Sequence, residues 1–150
     1  MNEKELVLKW VCGCNYSAKL LNDLFYISQV ADDFVDDDVP MDKSDKMVTM
    51  LHTCLIDIPS NPIFTKYYSW LAPLMSSSLL LWGASNVWEK SENLDTRAFA
   101  YAYREILEQV IIQIALLNGG IEHAKKVTQE IHEHYRQNEE CDKFINWSKK

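Results

Sequence analysis

Glycine and proline are scarce in this chain, at four residues each in 150. A loop-rich or all-β protein needs more of both for its turns, so the composition argues against those classes. No stretch alternates apolar and polar residues for the length of a strand, and no segment repeats. Arginine is rarer still: Arg97, Arg104 and Arg136 are the whole supply. With a formal net charge of −7, the chain lacks the cationic excess that a phosphate backbone demands. A general nucleic-acid binder is therefore not expected, whereas cation binding is compatible with the charge. The opening MNEKELVLKW is too charged, and its apolar run too short, for a secretory signal. No G-x-S-x-G, P-loop or dinucleotide fingerprint occurs. Four cysteines are present, Cys12, Cys14, Cys54 and Cys141. The first two form C-x-C, which on a helix points to nearly opposite faces and suits a zinc ion poorly. All four read as reduced, mostly buried thiols of a cytoplasmic protein.

Charge itself is missing from one long window. Between Lys66 and Glu89 there is no charged residue. The window YYSWLAPLMSSSLLLWGASNVW is long enough to span a bilayer. Its serines, its Asn86 and its central Pro73 favour a buried helix rich in small residues instead, so no transmembrane segment is expected.

Hydrophobic residues make up 47% of the chain, enough for a packed core in one domain covering 1–150. They recur at helical spacing almost throughout. A first helix is expected from about Glu5 to Asp37, with Leu6, Trp10, Tyr16, Leu20, Leu24, Ile27, Ala31 and Val35 on one side and Gly13 loosening its first third. Pro40 stops it, and Asp42 with Asp45 resembles an acidic cap for a second helix reaching about Ile58. Asn61 and Pro62 suit the cap and first position of a third helix, which Pro73 should kink or divide. Asp95 or Thr96 is expected to cap a helix from Arg97 to Leu117, closed by Asn118-Gly119-Gly120. A last helix covers about Glu122 to Gln137, with a tail docked through Phe144 and Trp147. The fold class is all-α, a single-domain bundle of five to seven helices.

The residues that most invite chemistry lie in VADDFVDDDVP, where five aspartates fall between Asp32 and Asp38. On a helix Asp32 and Asp36 share a face as i and i+4, Asp33 lies beside Asp36, and Asp37 extends the group. Each exposed like-charge pair costs about 0.2–0.5 kcal/mol. The negative end of the helix dipole adds about 0.3–1 kcal/mol per carboxylate. A divalent cation would remove these costs, and Mg2+ suits carboxylate oxygens and keeps waters for a phosphate to replace.

Leu24 to Asp38, LFYISQVADDFVDDD, resembles the first aspartate-rich motif of the squalene/phytoene synthase family, within the class I isoprenoid synthase superfamily. The resemblance implies an all-α fold, here an isoprenoid-synthase-like bundle or a reduced version of it, since the chain is much shorter than the family. It implies that Asp32, Asp33 and Asp36 bind Mg2+ ions that hold a prenyl diphosphate, whose departure leaves an allylic cation. Such a family needs a second acidic motif on a facing helix. NVWEKSEN, Asn86 to Asn93, is the candidate, with Glu89 and Glu92 as i and i+3 and Asn93 one turn beyond Glu89. Asn93, Arg97 and Arg104 are then the candidate contacts to the diphosphate-containing small molecule.

The same acids support a second enzymatic reading. All-α nucleotide pyrophosphatases of the MazG and dimeric dUTPase type use paired acids on neighbouring helices, and Asp33-x-x-Asp36 with Glu89-x-x-Glu92 gives two pairs. Either enzyme would be Mg-dependent: a prenyl diphosphate transferase or lyase, or a pyrophosphatase. A third reading is non-enzymatic. The aspartates are then surface charge, and apolar helix faces bind a second copy or another partner, giving an accessory protein that forms a homodimer or larger homo-oligomer. Tyr67, Tyr68, Trp70, Trp82, Trp88, Tyr101 and Tyr103 are expected mainly in the core. Glu130 with His134 is a possible metal pair at i and i+4, though a surface role suits them better.

Overall fold

The computed structural model describes residues 1–36, 38, 41–105, 107–136 and 143. Among the described residues every regular element is helical and there is no strand, as the composition and periodicity imply. No helix among them is long and apolar enough to cross a membrane. The chain divides into two compact units, Met1–Leu71 and Ala72–Lys150.

The first unit opens with α1, Glu3–Trp10. Its start is fixed by a reciprocal pair: the Glu5 N–H donates to Asn2 Oδ1 at 2.9 Å, and the Asn2 N–H to Glu5 Oε2 at 3.0 Å. The expected continuous helix to Asp37 does not form. Cys12 and Gly13 take φ of +56° and +76°, so the chain turns where mere loosening was expected. It restarts as α2, Asn15–Val35, which buries Ser17, Ala18, Leu20, Leu21, Leu24 and Val30. Tyr16 and Val35, expected on the inward side, are exposed.

Next come α3, Lys43–His52, a π-helical turn, Thr53–Asp57, and α4, Ile58–Ser60. Together they match the expected second helix. The expected acidic cap is absent, because Asp42 precedes α3 without a side-chain hydrogen bond to it. The π turn puts residues five apart in register. It sets His52 Nδ1 3.3 Å from Asp57 Oδ2. Asn61 and Pro62 begin α5, Pro62–Lys66, as their types dictate. Asn61 Oδ1 accepts from the N–H groups of Ile63 and Phe64 at 2.9 and 3.3 Å. Its Nδ2 donates to the Tyr16 carbonyl at 2.9 Å, pinning α5 to the start of α2.

The helix α6, Tyr68–Trp88, carries the chain into the second unit. Pro73 does not divide it; the interruption comes earlier, at Tyr67. Pro73 and Ser69 are both exposed, so the Ser69 carbonyl that loses its helical donor has access to water. The next helix, α7, spans Leu94–Tyr103 and is capped by Asn93, not by Asp95 or Thr96. The expected single helix from Arg97 to Leu117 is two helices, because α7 ends at Tyr103 and α8, Glu108–Arg136, begins afresh. The Asn-Gly-Gly stop falls inside α8 as a backbone break, with Gly120 at φ +79° and ψ 179°. Those angles are an extended mirror-image conformation, not the left-handed helical cap expected. Val110, Ile111, Ile114 and Ala115 are buried before the break, and Ala124, Val127 and Ile131 after it. Phe144, Trp147 and Cys141 lie outside the described residues.

Candidate functional site

The aspartate cluster sits at the end of α2, and the helix stops within it. Asp32 and Asp33 lie in its last turn and are half-buried. Asp36 caps the helix at φ −84° and ψ 0°, is exposed, and donates its N–H to the Asp32 carbonyl at 2.9 Å. The Asp33 carboxylate accepts from Gln29 Nε2 at 3.0 Å, one turn back. Asp38 is exposed, and its N–H closes on the Asp33 carbonyl at 2.8 Å. Asp37 lies outside the described residues. The predicted stack of carboxylates is thus loosened: the helix ends before Asp36, and solvation relieves part of the like-charge cost there. Among the described residues no three His, Cys, Asp or Glu side chains converge closely enough to hold a metal ion.

Only residues 86–88 of the second acidic motif are helical, as the end of α6. Glu89 and Glu92 occupy the turn between α6 and α7, the first half-buried and the second exposed. They belong to the second unit, and the aspartates to the first. Asn93 Oδ1 is engaged as the α7 cap, accepting from the N–H groups of Asp95 and Thr96 at 2.9 and 3.2 Å. Arg97 is buried, and one of its terminal nitrogens donates to the Glu92 carbonyl at 3.0 Å. Arg104 is half-buried with Nε 3.9 Å from Glu105 Oε1. Asn93 and Arg97, two of the expected diphosphate contacts, therefore serve the α6–α7 turn.

A different feature emerges on α6. No residue of this helix is charged. Its buried line is Leu71, Ser78 and Ser85, seven residues apart each time. Serine hydroxyls occupy two of its three inward positions; that of Ser85 donates to the Trp82 carbonyl at 2.7 Å. Leu74, Met75, Leu81, Trp82 and Trp88 flank that line and are half-buried, but large apolar groups face outward as well. Trp70, Pro73, Ser77, Leu80, Ala84 and Val87 recur at alternating intervals of three and four, the spacing of a helix-pairing stripe. Trp70 is 56% exposed, Leu80 74% and Val87 71%, and Ala84 is half-buried. A helix apolar all round is normally enclosed, so the exposure of Trp70, Leu80 and Val87 leaves an apolar face that the isolated monomer does not cover. The expected buried helix is buried along one side and exposed along the other.

The aromatic residues are divided: Tyr67, Trp82, Trp88 and Tyr101 are half-buried. Tyr68, Trp70 and Tyr103, expected in the core, are exposed. Trp88 and Phe99 both lie against Tyr103, with ring centroids 6.5 Å away in each case. The His52–Asp57 pair has no signature in the sequence, since its i, i+5 spacing has meaning only in a π turn. Compared with known proteins, the chain matches no family model, no curated protein and no solved structure.

Proposed function

We propose that this chain is a helical interaction protein that associates with a second copy of itself through the outward stripe of α6. The exposure of Trp70, Leu80 and Val87 on an uncharged helix carries this reading. Two chains of net charge −7 repel each other, and an uncharged helix is where they can meet without bringing like charges into contact. Ser77, Ala84 and the neighbouring Gly83 are small and let two helix backbones approach closely. The same stripe presented by both copies is self-complementary, the arrangement of a two-fold dimer. Sedimentation equilibrium of the purified chain tests this. Concentration-dependent dimer is expected, and a monomer at every concentration overturns the reading.

A second reading rests on the fifteen residues from Leu24 to Asp38. It takes Asp32, Asp33, Asp36 and Asp37 as Mg2+ ligands for a diphosphate-containing small molecule. What favours it is that Asp32 and Asp33 are half-buried together in one helical turn, where cation binding would offset the cost of their charge. Thermal melting with Mg2+ and inorganic diphosphate separates the two. On the second reading the pair raises Tm in the wild type and has no effect in an Asp32→Ala/Asp36→Ala variant. If both proteins melt alike with and without the additions, this reading fails.

A further inference from the structure

The turn between α1 and α2 carries two thiols one residue apart, Cys12 and Cys14, on either side of Gly13. Both are free, Cys12 exposed and Cys14 half-buried. Three backbone hydrogen bonds hold the turn: Cys12 N–H to the Lys9 carbonyl at 3.2 Å, Gly13 N–H to Leu8 at 2.8 Å, and Cys14 N–H to Val11 at 3.2 Å. The left-handed backbone at Cys12 and Gly13 reverses the chain. Two residues of extended chain span about 6.6–7.2 Å between Cα atoms. A turn shortens that toward the roughly 4.4–6.8 Å over which a disulfide closes. Gly13 is open on its side-chain side, with no atom within 4 Å of where a Cβ would stand, and the neighbouring Cys12 is exposed to a small reagent.

We propose that Cys12 and Cys14 form a redox-active thiol pair, which low-molecular-weight disulfides oxidise to an internal Cys12–Cys14 disulfide. The Cys14 thiolate attacks one sulfur of the reagent, forming a mixed disulfide and expelling one small thiolate. Cys12 then loses its proton to solvent and attacks Cys14 Sγ, and the second small thiolate leaves. The two expelled thiolates take up the two protons released by the cysteines. The protein pair loses two electrons and the reagent gains them.

The surroundings of Cys14 suit the attacking role. Burial raises its thiol, but the Ser17 hydroxyl and the N–H groups of Ser17 and Tyr16 bond to the sulfur and together bring it below the ordinary thiol range. Cys54 is the internal contrast. It lies in the π turn, and burial pushes its thiol up. The exposed Cys12 is placed to resolve the mixed disulfide.

Trypsin offers a direct readout, because cleavage after Lys9 and Lys19 releases Trp10–Lys19, a peptide holding Cys12 and Cys14 and no other cysteine. The reduced full chain is equilibrated with glutathione buffers of increasing oxidised fraction, quenched with acid, alkylated and digested. The expected product is a peptide two hydrogens lighter than the dithiol form and closed to alkylation. In Cys12→Ser the reaction should halt at a glutathione adduct on Cys14. The proposal is overturned if the wild-type peptide keeps two alkylatable thiols when oxidised glutathione predominates, or collects glutathione adducts with no internal bond. The wild-type measurement decides the matter even where a variant fails to fold.

Discussion

Replacing Leu80 by alanine should break the proposed dimer while leaving the monomer intact. Leu80 lies on the outward stripe of α6 and is 74% exposed. Alanine removes three carbons, each contributing about 0.8 kcal/mol when fully buried. Scaled by the area still open, the loss is about 1.8 kcal/mol per copy and about 3.5 kcal/mol per dimer, or a dissociation constant raised about 300-fold. The starting affinity follows from the same arithmetic. Trp70, Leu80 and Val87 together expose the equivalent of about two full side chains. Covering them contributes about 3–6 kcal/mol per copy, or about 6–12 kcal/mol in all. Association costs about 4–15 kcal/mol, so the dimer is micromolar at best and such a loss drives it to monomer. Sedimentation equilibrium on both proteins measures the ratio, and urea unfolding of the monomer serves as control. There the change should stay within about 0.5 kcal/mol, because Leu80 lends little to the folded monomer and alanine favours a helix. An unchanged dissociation constant, or equal loss of stability in the monomer, refutes the reasoning.

Asn61→Ala should cost about 1–2 kcal/mol in urea unfolding, since it removes the α5 cap and leaves the Tyr16 carbonyl without the Asn61 amide. Gly120→Ala should cost about 1–3 kcal/mol by the same assay: no atom lies within 4 Å of the new Cβ, but φ +79° with ψ 179° is a conformation nearly restricted to glycine. A neutral result there would mean that α8 closes across the break. Iodoacetamide labelling followed by mass spectrometry should show Cys14 reacting at lower pH than Cys54. The reagent reads thiolate, and hydrogen bonds favour that form at Cys14 whereas burial disfavours it at Cys54. The reverse order would contradict the hydrogen bonding at the start of α2.

Local chemistry with a short range was legible from the sequence. Asn61-Pro62 announced a helix start because an amide oxygen and a fixed φ act within one turn. The break at Asn118-Gly119-Gly120 was marked by glycine for the same reason, although its conformation was not. The interruption at Cys12-Gly13 was underestimated, since apolar spacing continues straight through it and periodicity cannot register a turn that preserves phase. The helix end at Tyr103 was missed because Tyr101-Ala102-Tyr103-Arg104 carries neither glycine nor proline. Asn93 reads as a ligand contact by its spacing from Glu89, but the first N–H groups of α7, which lack a partner within the helix, take its side chain. For α6 the composition was clear and its disposition was not. Hydrophobicity on every face leaves the inward side to be chosen by neighbours, and those neighbours took the serine line.

The decisive question is whether a second copy covers the outward stripe of α6. An equal mixture of isotope-labelled and unlabelled chain, examined by isotope-filtered NMR, reports only contacts between copies. Contacts linking the Leu80 and Val87 methyl groups and the Trp70 ring of one copy to α6 of the other are the predicted result. Intermolecular contacts confined to other surfaces, or none at concentrations where sedimentation shows dimer, would contradict it.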